Sequence, residues 1–158
     1  MNTALNIQPP ALGEVWPGQG GIYAGVMPAR ADAASYHMII PATDIGRFEW
    51  GRYREESLAT SLVDGKANTD ALIAVGGHPA AEAARAYAAD GHADFDLPAI
   101  AELYEIWLNL NGKIDAWYWS SSQRSADTAF GMDFGDGYQF YDGKNGELRV
   151  RPVRRLPI

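Results

Sequence analysis

The sequence contains no cysteine. This absence excludes disulfide bonds, thiolate catalysis and cysteine-based zinc sites, and it leaves the redox compartment open. No apolar run approaches the roughly 18 residues that a membrane-spanning helix needs, so we expect no membrane insertion. The opening segment "MNTALNIQPPALGEVW" has neither the basic start nor the apolar centre of a classical signal peptide.

Basic residues are also scarce. The chain has 13 lysines and arginines against 20 acidic residues, for a net charge of −7. Nucleic-acid binding depends largely on cations that neutralise phosphates, so we expect no nucleic-acid partner. The basic segment "RVRPVRR", residues 149–155, is interpreted as a strand with outward arginines. The length and a hydrophobic content of 47% suit one globular domain.

Proline and glycine punctuate residues 1–19, which predicts an N-terminal arm without regular structure. This arm is a candidate contact for homo-oligomer formation. Residues 20–158 then form the single domain. Within it, "GGIYAGVMP" (20–28) and "SYHMIIPA" (35–42) predict two strands joined as an antiparallel pair.

Helices are predicted in the middle of the chain. Residues 64–91 indicate a helical region broken once at the Gly76–Gly77 pair, with Gly91 as its final stop. The best-marked helix is "LPAIAELYEIWLNL", in which Pro98 suits the first helical position. Its predicted apolar stripe consists of Ile100, Leu103, Tyr104, Trp107 and Leu108.

Strands return after residue 112. The segments "DAWYWSSS", "TAFGMDF", "YQFY" and "ELRVRPVRRL" are β-prone. The first two are joined by "QRSAD", and the later two turns, "GDG" and "DGKNG", carry Asp-Gly and Asn-Gly signals. Strands, then helices, then a run of antiparallel strands predict an α+β fold.

Few residues indicate catalysis or metal binding. The three histidines, His37, His78 and His92, share no ligand spacing, so structural roles are preferred. Calcium binding by Asp133, Asp136 and Asp142 is a weak alternative to an ordinary role of aspartates in turns. The hydroxyls of "SSS", residues 120–122, have no base nearby in the sequence and are interpreted as bonding to the backbone. Asp94 and Asp96 suit a helix start, and no cofactor is expected.

Four segments in order, "DLPAIAEL", "YWSSS", "AFGMDFGDG" and "VRPVR", resemble the pattern of the DUF1566 (Lcl C-terminal) domain family. The resemblance covers residues 64–155 well and residues 20–54 weakly. The matching positions are Leu97, Pro98, Glu102, Leu103, Tyr118, Trp119, Ser120, Ser121, Arg151 and Arg154. Ala99 replaces the family's threonine, so its capping box with Glu102 is incomplete, and Asp96 is a candidate replacement cap.

The resemblance implies a C-type-lectin-like fold, with two main helices and a twisted antiparallel sheet. Domains with this fold are similar to the formylglycine-generating enzyme and to receptor-binding domains at phage tail tips. The resemblance further implies that Trp119, Phe130 and Phe134 are buried, that residues 120–122 bridge strands, and that Arg151 and Arg154 bond to loop carbonyls or carboxylates. Without cysteine, formylglycine-type chemistry is excluded.

The leading hypothesis is therefore a non-catalytic recognition or structural module of a phage or prophage tail fibre or baseplate. Its partner would be a host cell-surface receptor, protein or glycan, or another tail protein. Its location would be the virion, or the cytoplasm before assembly. If the chain has a binding face, we expect it on the loops of the last strands. The candidate ligand-binding residues there are Trp117, Gln123, Arg124, Asp127, Tyr138, Gln139 and Tyr141.

Two alternatives remain open. The chain could be a bacterial accessory or assembly subunit that binds no small ligand and assembles through its N-terminal arm. It could instead be a hydrolytic enzyme that uses the serines at 120–122 or the aspartates, which requires a base or carboxylate near those serines.

Overall fold

The computed structural model describes residues 7–158 and contains ten strands and three helices. The helices are α1 (Gly65–Val75), α2 (Pro79–Ala86) and α3 (Ile100–Asn109). The strands are β1 (Val15–Trp16), β2 (Gly21–Met27), β3 (Tyr36–Ile40), β4 (Arg47–Glu49), β5 (Phe95–Asp96), β6 (Trp117–Gln123), β7 (Thr128–Asp133), β8 (Tyr138–Gly143), β9 (Glu147–Arg149) and β10 (Val153–Pro157).

The strands form two five-stranded sheets. Sheet 1 has the order β1-β2-β3-β10-β5, and sheet 2 has the order β4-β9-β6-β7-β8. Every pair is antiparallel except β6 with β9, which is parallel. The predicted α+β class is confirmed. The expected two main helices and one sheet are corrected to three helices and two sheets. The helices number three because Gly76 and Gly77, both with positive φ, separate α1 from α2 at the predicted break.

Neighbouring residues of β6 supply two different cores. Tyr118 packs with α3, sheet 1 and β7 in the first core cluster. Trp119 points to the other face of sheet 2, where it packs with Trp50, α1 and α2. This alternation follows from the two-residue period of a strand, and it places β6 between the two cores.

The described part of the N-terminal arm folds onto its own domain. Gly13 N–H donates to the Tyr23 carbonyl (2.8 Å), and Tyr23 N–H donates to Glu14 (2.9 Å). Trp16 is buried against the rings of Tyr23 and His37. The prediction that residues 1–19 lack regular structure is therefore wrong at β1, because the buried indole holds this segment against β2.

Helix α2 ends earlier than predicted, at Ala86. Asp90 and Gly91 both have positive φ, and Ala89 and His92 exchange backbone hydrogen bonds across them. Residues 89–92 therefore form a tight turn of the type favoured in hairpins rather than a helix stop. The side chain of Asp90 fixes this turn by accepting from Gly20 N–H at 2.9 Å.

Helix α3 begins at Ile100, two residues after the predicted start at Pro98. The Ile100 N–H donates to the hydroxyl of Ser122 on β6 (3.0 Å), and Ala99 N–H donates to Glu102 (3.1 Å). Ala99 has no side-chain acceptor, so only the glutamate half of a capping box exists. Asp96 does not cap this helix, since its carboxylate pairs with Arg85 at 2.7 Å.

The buried stripe of α3 also differs from the prediction. Tyr104 and Leu108 are exposed, whereas Ile106 and Leu110 enter the core with Ile100 and Leu103. Because Tyr104 and Leu108 are apolar but exposed, the sequence pattern indicated the wrong buried face for α3. None of the helices described between residues 7 and 158 is long and apolar enough to cross a membrane.

The basic segment 149–155 forms parts of two strands rather than one. Pro152 separates β9, which belongs to sheet 2, from β10, which belongs to sheet 1. The prediction of one strand with outward arginines is correct only for Arg149, which is exposed. Arg154 is buried, and Arg151 and Arg155 are half-buried.

Candidate binding surface

Strands β6, β7 and β8 form a meander that sets the position of most candidate ligand-binding residues. Trp117 lies opposite Asp133, which lies opposite Tyr138. One step further, Trp119, Gly131 and Phe140 are aligned in the same way. Residues that face each other across antiparallel strands share a face, so Trp117, Tyr138 and Phe140 lie on the same side of sheet 2.

These three residues form what we call the aromatic face. Trp117 is 54% exposed and Tyr138 is 65% exposed, while Phe140 is half-buried between them and the core. The ring centroids of Trp117 and Phe140 are 5.1 Å apart. A Cβ on Gly131 would lie only 2.8 Å from Phe140 Cζ, so the glycine is what lets the phenyl ring cross β7.

A cavity of about 220 Å³ adjoins the aromatic face at Trp117. Its other lining residues are Arg47, Ala116, Glu147, Leu148 and Arg149. Arg47 donates to the Glu147 carbonyl at 3.2 Å, and Arg149 pairs with Asp44 at 3.1 Å. The cavity therefore combines an indole wall with two guanidinium groups on short, well-anchored strands.

Gln139 and Tyr141 lie on the opposite side of β8. Tyr141 is 54% exposed, and the guanidinium carbon of Arg124 sits 3.7 Å from the centroid of its ring. This is a close cation–π contact. The candidate residues are thus divided between two faces of sheet 2, with Trp117 and Tyr138 on one and Arg124, Gln139 and Tyr141 on the other.

Gln123 lies below the surface and belongs to a buried polar network. Its Oε1 accepts from Lys144 Nζ (2.8 Å) and Ser57 N–H (2.8 Å), and its Nε2 donates to Glu56 (2.8 Å). Lys144 is 0% exposed and also donates to the Glu55 carbonyl at 2.7 Å. Burial lowers the pKa of Lys144. Every polar atom of the Gln123 amide is therefore already bonded within the protein.

Asp127, by contrast, is exposed in the turn between β6 and β7. Its carbonyl accepts from Lys144 N–H at 2.9 Å, so the turn is anchored by the same lysine residue through its backbone.

The serines at 120–122 are fully buried and bond mainly to the backbone. Ser120 donates to the Phe130 carbonyl (2.6 Å), and Ser122 donates to the Ser61 carbonyl (2.8 Å). Ser121 Oγ accepts from the amide of Asn68 at 3.2 Å. Among residues 7–158, no histidine or carboxylate hydrogen-bonds to any of these hydroxyls. Their role is to join β6 to the Ser61 loop, α3 and β7.

The aspartates near the β7–β8 hairpin accept hydrogen bonds from turn amides. Asp133 accepts from Gly135 N–H (2.8 Å), Asp136 from Tyr138 N–H (2.9 Å), and Asp142 from Gly143 N–H (2.8 Å). In the described part of the chain, no group of three or more acidic or histidine residues is arranged to hold a metal ion.

Glu102, like Lys144, is an ionisable residue with 0% exposure. Its Oε1 accepts from Gly65 N–H (2.8 Å) and Ala99 N–H (3.1 Å), and its Oε2 accepts from the Tyr36 hydroxyl (2.7 Å). Burial raises the pKa of Glu102, while Arg155 at 3.7 Å, Tyr36 and the two amides oppose that rise. Glu102, one of the positions that match the DUF1566 pattern, therefore joins α1, the start of α3 and β3 through hydrogen bonds.

The other residues at positions that match the DUF1566 pattern also make contacts within the protein. Leu97, Leu103, Tyr118 and Trp119 are buried, and Pro98 accepts from Ser121 N–H at 2.8 Å. Arg151 donates to the Pro41 (3.3 Å) and Ala42 (3.2 Å) carbonyls and to the Tyr118 hydroxyl (3.2 Å). Arg154 donates to Asp94 (2.7 Å) and to both the carbonyl and the side chain of Gln19 (3.1 and 3.0 Å).

Sequence reasoning missed Phe140 and the arginines of the cavity. The two-residue period of β8 places Phe140 on the same side as Tyr138, which was the available signal. Arg47 and Arg149 lie in strands distant in the sequence, and no local pattern joins them. No protein-family model matches this sequence, and a search of curated proteins also finds no match.

Proposed function

We propose that this chain is a non-catalytic recognition module with a C-type-lectin-like fold, related to the DUF1566 domain family. In this proposal it belongs to a phage or prophage tail fibre or baseplate, and it contacts a protein or glycan receptor on the host surface. The phage assignment is based on analogy with domains of the same fold.

The topology supports the lectin-like assignment. Strand β10 lies between β3 and β5, so the two ends of the domain meet in one sheet. A second sheet holds the β6–β7–β8 meander, and helices pack against both. Closely placed ends of the domain are what the family resemblance leads us to expect.

The aromatic face is the observation that carries the proposal. A tryptophan and a tyrosine, each more than half exposed, are held on the same side of a sheet, with Asp133 of β7 between them. Large aromatic residues are strongly enriched among the side chains that dominate binding energy. The adjoining cavity adds two guanidinium groups that can donate to carbonyl, carboxylate or hydroxyl oxygens of a receptor.

The polar groups that could have performed chemistry support a binding role instead. The three serines are engaged with the backbone and Asn68, and the Gln123–Lys144 network is closed by its own hydrogen bonds. Such networks stiffen the support beneath a binding surface.

The test is binding of the labelled, purified protein to intact bacterial cells from a panel of hosts. We expect saturable binding to at least one host, and replacement of Trp117 with alanine should weaken it by about 10-fold or more. Leu58→Ala is the matched control, because Leu58 is an 85% exposed apolar residue outside the surface. Equal binding by wild type and Trp117→Ala, or loss of binding in the control alone, would contradict the proposal.

A further inference from the structure

The four outer strands of the two sheets are not alike. The edges formed by β1, β5 and β4 are two, two and three residues long. Strand β8 is also an edge, but it has six residues. Short edges offer little backbone for another chain to pair with, whereas a long edge is a template for pairing. Within residues 7–158, β8 is therefore the one long open edge.

Strand β8 also lacks the features that protect edges. Its sequence, YQFYDG, contains no lysine or proline. Its ladder with β7 runs without a bulge from the Thr128–Gly143 pair to the Asp133–Tyr138 pair. Apart from that ladder, the backbone of residues 139–142 makes no hydrogen bond with the rest of the described chain. The outward N–H and C=O groups of this segment are thus available.

Symmetry restricts how a second copy could pair with this edge. Two copies of one antiparallel edge are related by a two-fold axis normal to the sheet, so each face meets the same face of its partner. Two residues that face each other across the axis must have side chains on the same side of β8, so they must be an even number of positions apart. The axis must therefore pass through a residue and not between two residues. An axis at Phe140 pairs Tyr138 with Asp142 and Gln139 with Tyr141, and brings the two Phe140 residues together.

This register fits the side chains of the strand. The contact of Trp117 with Phe140 would continue across the axis into a row of four aromatic rings, two from each copy. Cross-strand aromatic pairs stabilise sheets. Asp142, the only charged residue of β8, would face Tyr138 rather than another carboxylate. The edge is thus nearly neutral in a chain whose net charge is −7.

We infer that β8 pairs antiparallel with β8 of a second copy of this chain, with Phe140 on the two-fold axis, to form one continuous sheet. Joining two six-residue strands belongs to the small class of interfaces, below about 1,200 Å². We therefore expect a reversible dimer with a dissociation constant in the micromolar range.

The symmetry has a consequence that depends on the proposed function. Because the axis is normal to the sheet, both aromatic faces of the dimer point in the same direction. Two receptors on one host surface could then be bound together, which raises avidity without new contacts. The dimer itself needs no receptor, so its test and the cell-binding test can fail separately.

Charge variants at β8 test the register. Gln139→Lys with Tyr141→Lys places lysine opposite lysine twice across the axis, and we expect the dissociation constant to rise about 10-fold or more. Gln139→Lys with Tyr141→Glu places opposite charges there and should retain the dimer. Both positions are exposed, so neither variant removes a core side chain. Val15→Lys on the β1 edge is the matched control. Sedimentation velocity across the micromolar range measures all four proteins.

A single introduced cysteine gives an independent readout, since the natural chain has none. We expect Phe140→Cys to form a disulfide-linked dimer on mild oxidation, and Gln139→Cys or Tyr141→Cys alone to form little. A wild-type protein that stays monomeric throughout the concentration range would overturn the inference. So would equal dissociation constants for the lysine–lysine and lysine–glutamate variants.

Discussion

The acceptor role of Glu102 makes a strong prediction about stability. Glu102→Ala leaves the N–H groups of Gly65 and Ala99 and the Tyr36 hydroxyl without their acceptor. Each buried polar group left unpaired costs about 1–3 kcal/mol. With two backbone amides, the hydroxyl and a small cavity, we expect a loss of about 4–6 kcal/mol. That is a large part of the roughly 5–15 kcal/mol typical of a domain.

Glu102→Gln separates hydrogen bonding from charge. The amide oxygen can still accept from Gly65 and Ala99, and the amide nitrogen can donate to the Tyr36 hydroxyl oxygen. The attraction to Arg155, 3.7 Å away, is removed, and the three hydrogen bonds lose the added strength that the negative charge gives them. We expect a loss of at most about 2 kcal/mol, since the two amides keep their acceptor.

Urea unfolding followed by tryptophan fluorescence measures both free energies of unfolding. If Glu102→Ala is too unstable to fold, Tyr36→Phe removes one of the three hydrogen bonds and should cost about 1.5–3 kcal/mol, as for bonds to a charged group. Alanine and glutamine variants that differ by less than about 1 kcal/mol would refute the reasoning, because the two amides would then have another acceptor.

Two further predictions concern the sheet and the buried histidine. Gly131→Ala should lower the free energy of unfolding by about 1–3 kcal/mol and alter the near-ultraviolet circular dichroism. The new Cβ would lie 2.8 Å from Phe140 Cζ and 2.9 Å from the Tyr118 carbonyl. Gly135→Ala is the control and should change little, because its nearest neighbour is the flexible side chain of Asp133 at 3.1 Å. Burial lowers the pKa of His78 below its usual value of 6.5. Below pH 6.5 the unfolded chain therefore binds a proton at His78 more readily than the folded chain does. The free energy of unfolding should consequently fall as the pH drops from 6.5 towards the lowered pKa. His78→Gln should show a smaller fall between urea titrations above and below that pH, and an unchanged fall would show that another group is responsible.

Local sequence signals predicted the strands better than the helix ends. Asp-Gly turns and two-residue alternation located β6, β7 and β8, because hairpins are set by residues close in the chain. The start of α3 could not be predicted locally, since its first N–H is capped by Ser122 from another strand. The end of α2 was misjudged because Asp90–Gly91 suits both a helix stop and a hairpin turn.

The candidate surface was predicted only in part, for a similar reason. The mixture of aromatic and polar residues marked Trp117, Tyr138 and Tyr141, which are exposed but lie in strands β6 and β8 rather than in the expected loops. The burial of Gln123 depends on Lys144, which reaches it from the far side of the meander. Exposure of a polar residue is a property of the assembled fold, and the neighbours that decide it are distant in the chain.

The position of β10 between β3 and β5 in sheet 1 determines when this protein can finish folding. Strand β3 bonds to β10 across a register that joins Tyr36 to Pro157, so its partner is synthesised long after β3 itself. During translation, β3 must wait with one edge unpaired until residues 153–157 leave the ribosome. Such long-range closure slows folding and exposes intermediates to aggregation. Sheet 1 can therefore be completed only after residues 153–157 have emerged.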